Sequence, residues 1–157
     1  MTLSRVCRED LRVLRPVRGK WIIAVSAVAV TACSGGSESG YLSSAEQSAQ
    51  EGLSAAGTLE QLIRADSAGR LLPPYRAVAV DDVLSTATKA LDDLESEPPP
   101  GPEAAQVFGR LHPQLQGLVA TATEVRDAFG DGPRAAAADR RLSEVRDQLD
   151  AFVRSRQ

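Results

Sequence analysis

Histidine, methionine and cysteine are almost absent: the 157 residues hold one His, one Met and two Cys. Zinc sites, haem ligation and disulfide frameworks draw on several of these residues at set spacings, so their scarcity excludes all three classes. No pair of Glu-x-x-His motifs is present, which removes the di-iron bundle pattern. There is no glycine-rich phosphate loop and no nucleophile elbow. A single imidazole without a second His or a marked nucleophile gives no general-base relay, and a reaction would have to run on carboxylates alone. No carboxylate pair is set apart for that task, so the expectation is a protein that is not an enzyme, with no cofactor and no metal. Aromatics are also few, at 4%. Long hydrophobic runs are missing as well: Trp21 to Ala32 is uncharged but spans only twelve residues, against roughly 20 for a spanning helix. Apolar residues at 43% still suffice for the core of one compact domain.

What is present begins with a basic leader. Arg5, Arg8, Arg12, Arg15, Arg18 and Lys20 stand against Glu9 and Asp10, and the short apolar run follows. Basic region, short apolar region and small residues form the pattern of a secretory signal. The run ends Val30-Thr31-Ala32-Cys33, which resembles the bacterial lipobox: a branched apolar residue, two small ones, then Cys. The resemblance covers residues 1–33 only. It implies a lipoprotein whose residues 1–32 are removed as signal peptide, with Cys33 carrying the lipid as the first residue of the mature chain. It further implies attachment to the cell membrane, on the extracytoplasmic face, through that lipid. Two or three acyl chains, palmitate among them, anchor firmly where one does not. No family is recognised in the rest of the chain.

Removal of the leader would leave 12 basic and 19 acidic residues, a net charge of −7. That balance argues against nucleic acid as a partner and against electrostatic adhesion to anionic lipid. It would also leave no second Cys, so the stability of the domain must come from packing. Residues 33–42, with SGGSESG at their centre, read as the lipidated Cys and a flexible tether.

From residue 43 onward the apolar residues recur three and four apart, the helical period, and no stretch alternates with period two. Leu42, Ala45, Ala49, Gly52, Ala56, Leu59 and Ile63 define a first stripe, with capping-box spacings at Ser43/Glu46 and Ser44/Gln47. Gly69 suits a helix C-terminus and Pro73-Pro74 bar continuation. Ala77, Val80, Leu84, Ala87, Leu91 and Leu94 define a second stripe. A third runs from Ala104 through Phe108, Leu111, Leu115, Leu118, Ala122 and Val125 to Phe129. Ala135, Ala138, Leu142, Val145, Leu149 and Phe152 define the fourth. The spacing predicts helices over about 43–68, 74–97, 102–129 and 133–155, with short connections. Such connections favour an all-α, antiparallel up-down four-helix bundle over 43–157. Pro113 falls inside the third helix and predicts a kink there rather than a break, because the apolar register continues through it. The Ala and Gly at inner positions of the first helix imply close approach of helices rather than a cavity.

Three features invite a functional reading. His112, beside the apolar stripe, reads as a boundary residue near the proline. Asp92, Asp93, Glu95 and Glu97 oppose the dipole of the second helix but lack a calcium loop's glycine turn, and read as a solvated helix end. Leu71-Leu72-Pro73-Pro74-Tyr75 is unusually apolar for a loop tip, with Phe129 at the same end of an up-down bundle. The sequence leaves two readings open for Leu71, Leu72, Tyr75 and Phe129: they cap the core, the preferred reading, or they form a patch for a protein partner of the envelope. The leading functional expectation is therefore a lipid-anchored helical module with a protein-interaction or envelope-structural role. The alternative is a small-ligand carrier or sensor that binds an apolar or cationic molecule between helices near Pro113.

Overall fold

The computed structural model describes residues 37–156; Cys33 and the leader lie outside the described residues. The described residues are all-helical: α1 Glu38–Ser67, α2 Pro73–Glu95, α3 Pro102–Ala128 and α4 Gly132–Arg154. The four form an antiparallel up-down bundle. Two sets of contacts fix its ends. The Glu38 carboxylate at the start of α1 accepts from the backbone N–H groups of Glu103 and Ala104 at the start of α3, at 3.2 and 3.3 Å. Arg156, just past α4, pairs with the same turn through Glu103 at 3.1 Å. At the opposite end, Asp66 near the end of α1 pairs with Arg76 near the start of α2 at 2.9 Å.

α1 starts earlier than its capping boxes predict. Ser37 is the N-cap, its hydroxyl accepting from the Gly40 N–H at 3.1 Å, and Ser43 and Ser44 lie inside the helix. Residues 38–42, expected in the tether, are helical, and Tyr41 among them is buried. The physical reason is tertiary: the first turn of α1 carries Glu38 onto the open N-terminus of α3, where a carboxylate satisfies otherwise orphaned donors. Gly101, the N-cap of α3, has no side chain to do this, and a Cβ there would sit 2.2 Å from the Glu38 carboxylate. The other end of α1 follows its sequence signal. Gly69 has φ +63°, and the bonds Gly69 N–H to Asp66 (2.8 Å) and Arg70 N–H to Ala65 (2.9 Å) make the paired closure of a Schellman motif. Gly130, φ +86°, turns the chain between α3 and α4, and Asp131 caps α4 through the Arg134 N–H at 3.2 Å. α3 runs unbroken through Pro113.

The core is built on Leu59, Val80, Leu111, Leu115, Leu118, Leu142 and Leu149, all fully buried. The bundle is not square. α1 packs on all three other helices, including α3 across the centre, whereas α2 and α4 make no close approach. Ala45, Ser48, Ala49, Gly52, Ala55 and Ala56 give α1 a thin buried face. A Cβ on Gly52 would lie 2.6 Å from Leu115 Cδ2 and 3.6 Å from both Leu118 Cδ2 and Leu149 Cδ1. The small-residue stripe thus brings backbones together, as its composition predicts. In α2 the buried stripe is Val80, Val83, Ala87, Ala90 and Leu94. Ala77, expected inside, is exposed, and Leu84 and Leu91 are half-buried.

Candidate functional site

The end of the bundle formed by the α1–α2 and α3–α4 connections carries the apolar residues singled out above, and the structure separates them into two groups. Phe129, the C-cap of α3, is half-buried against the core. The Arg76 guanidinium lies 5.1 Å from its ring centroid while bonding to Asp66, so one cation ties α1, α2 and α3 together at this end. Leu71 is also half-buried. Of the two, Phe129 packs against the core. Leu72 and Tyr75 do the opposite: they are 64% and 69% exposed. Val78, which the sequence reading passed over, is 70% exposed. Tyr75 and Val78 are neighbours three apart on α2, and Leu72 immediately precedes the helix. Exposed Pro73, Pro74 and Ala77 widen the strip, with exposed Arg70 at one end and exposed Asp81 and Asp82 at the other. The signal that would have exposed Val78 was the alternative register Val80, Val83, Ala87, Ala90, Leu94, which places residue 78 on the outer face.

At the opposite end, the acidic residues Asp93 and Glu95 of α2 take different partners. Asp93 pairs with Lys89, and this hydrogen bond and charge push the Lys89 ammonium above its usual range. Glu95 bonds His112 Nε2 at 2.6 Å, while the imidazole stacks on Phe108 with ring centroids 4.8 Å apart. The sequence placed Glu95 at the end of the second helix and His112 beside the apolar stripe of the third, but had no means of pairing them across 17 residues. The pair clamps the end of α2 to α3. Glu97 and Asp93 line a cleft of about 260 Å³ with Tyr41, Ser44 and Ser96. The Tyr41 hydroxyl is buried without a hydrogen-bond partner, and burial pushes its pKa upward. Among the described residues no group of three His, Cys, Asp or Glu side chains is arranged to hold a metal ion, and no helix is long and apolar enough to cross a membrane.

A surface depression lies at Pro113. It is an open groove of about 600 Å³ between α3 and α4, with Gly109 and Pro113 on one wall and Ala151 and Phe152 on the other. It is a surface groove rather than a cavity in the core. Comparison of the chain with protein-family models, curated proteins and solved structures finds no match.

Proposed function

We propose that the protein is a lipid-anchored, extracytoplasmic helical module without catalytic activity, whose α1–α2 tip docks on another protein of the cell envelope. The observation that carries this reading is the strip Leu72, Tyr75 and Val78. The large hydrophobic side chains left exposed on the domain all fall within seven residues of one another. Scattered apolar residues on a surface need no explanation, but a contiguous set does. Aromatic and aliphatic residues rimmed by charge are the composition of an interface centre. The anchor rests on the lipobox resemblance at Cys33. In this reading the strip is at the far end of the bundle from the lipid, about 40 Å away for a helix of this length, where it faces partners rather than the bilayer.

Native mass spectrometry of the full chain, extracted from its own membranes in mild detergent, tests both parts. The expected mass is that of residues 33–157 plus acyl groups, with a further protein-sized increment. The increment is expected to disappear in a Tyr75→Asp/Val78→Asp variant. A mass that begins at Met1 without acyl groups removes the anchor. An increment that survives the double substitution, or none in either protein, removes the tip as docking surface.

A further inference from the structure

The groove at Pro113 has a chemistry of its own, independent of the tip. It exists because small or flat residues face each other across α3 and α4: Gly109 and Pro113 on one side, Ala151 of α4 and Ser155 just past its end on the other. A Cβ on Gly109 would meet no atom within 4 Å, so the space is open for want of a side chain. Phe152 supplies an apolar floor. A second, smaller depression of about 190 Å³ adjoins it and shares Arg110, Phe152 and Ser155, which places Arg110 at the waist between the two. The far end of the smaller lobe is closed by the Glu103–Arg156 ion pair.

The polar groups at this groove are incompletely satisfied in both senses. Arg110 has no carboxylate within 4 Å among the described residues, while most other arginines of the bundle do. In a domain with excess negative charge, an unpaired guanidinium facing an apolar floor is a donor fork waiting for an anion. One acceptor complements it. Pro113 has no N–H, so the Gly109 carbonyl loses its helical donor. A ligand that answers these groups has a carboxylate for Arg110, an N–H for Gly109, and an apolar side chain for Phe152. A simple alkyl carboxylate lacks the N–H, and a cation is repelled by Arg110.

We infer that the α3–α4 groove binds a short peptide through its free C-terminal carboxylate, with an apolar last residue on Phe152. A groove of this volume takes ligands of about two or three residues, and capture of a terminal carboxylate is an established mode of peptide recognition. The test titrates the ¹⁵N-labelled full chain in detergent with N-acetyl-alanyl-leucine, its C-terminal amide, and hexanoate. The free-acid peptide is expected to shift the backbone signals of residues 109–114 and 148–155 saturably. The amide, hexanoate and the Arg110→Gln variant should each bind at least about tenfold more weakly. Gly109→Leu, which fills the groove where space is open, should abolish the shifts while leaving the rest of the spectrum in place. Absence of saturable shifts at millimolar peptide overturns the inference. So does equal binding of the amide or of hexanoate, since the first removes the carboxylate from recognition and the second removes the N–H.

Discussion

Tyr41 is the residue at which sequence and structure diverge furthest. By composition it belongs to a polar spacer, yet it is 5% exposed with its hydroxyl unpartnered. A buried hydroxyl without a hydrogen bond forfeits its hydration and gains nothing in return. Tyr41→Phe is therefore expected to stabilise the fold by about 1 kcal/mol. The pH dependence follows from the raised pKa, whose cause is burial. The folded state holds the phenol proton more tightly than the unfolded chain, so its contribution is whole below the ordinary tyrosine value of about 10 and falls as pH rises beyond it. Urea denaturation at neutral pH and above about pH 10 should show the wild-type chain losing stability relative to the Phe variant. A constant difference across that range would mean that the hydroxyl titrates as it does in water. The exposed strip carries the same lesson with opposite sign: Val78 sits two residues from the buried Val80, and only the neighbouring helices decide which of the two turns inward.

At the scale of the element, helix ends divide into those closed locally and those closed from afar. Gly69, Gly130 and Asp131 act on their own neighbours, and each is readable from the residue types that supply a positive φ or a capping oxygen. The start of α3 is different. Gly101 offers nothing, and the acceptor comes from Glu38, 65 residues earlier. No local pattern reveals such a cap, which is why the first turn of α1 reads as tether in the sequence. Glu38→Ala should cost about 1 kcal/mol and accelerate hydrogen exchange at Glu103 and Ala104. Glu38→Gln should cost less, because it keeps an acceptor and gives up only the charge. Unchanged exchange in the Ala variant would show that the carboxylate is not the cap. Pro113 belongs to this scale too: the apolar register on both sides of it predicted one helix, and α3 is one helix.

The whole molecule is organised by the thinness of α1. Its buried face of Ala, Ser and Gly lets it reach α3 across the centre, while α2 and α4 stay apart. Gly52 is the narrowest point, with Leu115, Leu118 and Leu149 converging on it from two helices. Gly52→Leu is expected to wedge α1 from α3 and destabilise by about 1–3 kcal/mol in chemical denaturation. Leu115→Ala alone removes a fully buried side chain and should cost about 2–5 kcal/mol. Combined, the new Leu occupies the space that Leu115 vacates. The double variant should then be less destabilised than the two single costs added together, by about 0.5 kcal/mol or more. Strict additivity would place the two residues in separate surroundings. The same asymmetry shapes the surface, since small residues at Gly109, Ala151 and Ser155 let α3 and α4 meet with an open groove on their outer side.

The all-helical class, the number and order of the helices, most of their ends and the small inner face of α1 are legible in the order of the residues alone. Period and capping are properties of neighbouring residues, and a bundle with short connections admits few arrangements. Which of Leu71, Leu72, Tyr75 and Phe129 face solvent, and that Val78 joins the exposed ones, emerges from the packed bundle. It alone brought Glu38 to α3 and Glu95 to His112, and left Arg110 beside the groove at Pro113 with no carboxylate partner among the described residues. Each of these depends on the rotation of one helix against another. An apolar stripe wider than the interface it covers leaves that rotation open until the neighbouring helices are in place.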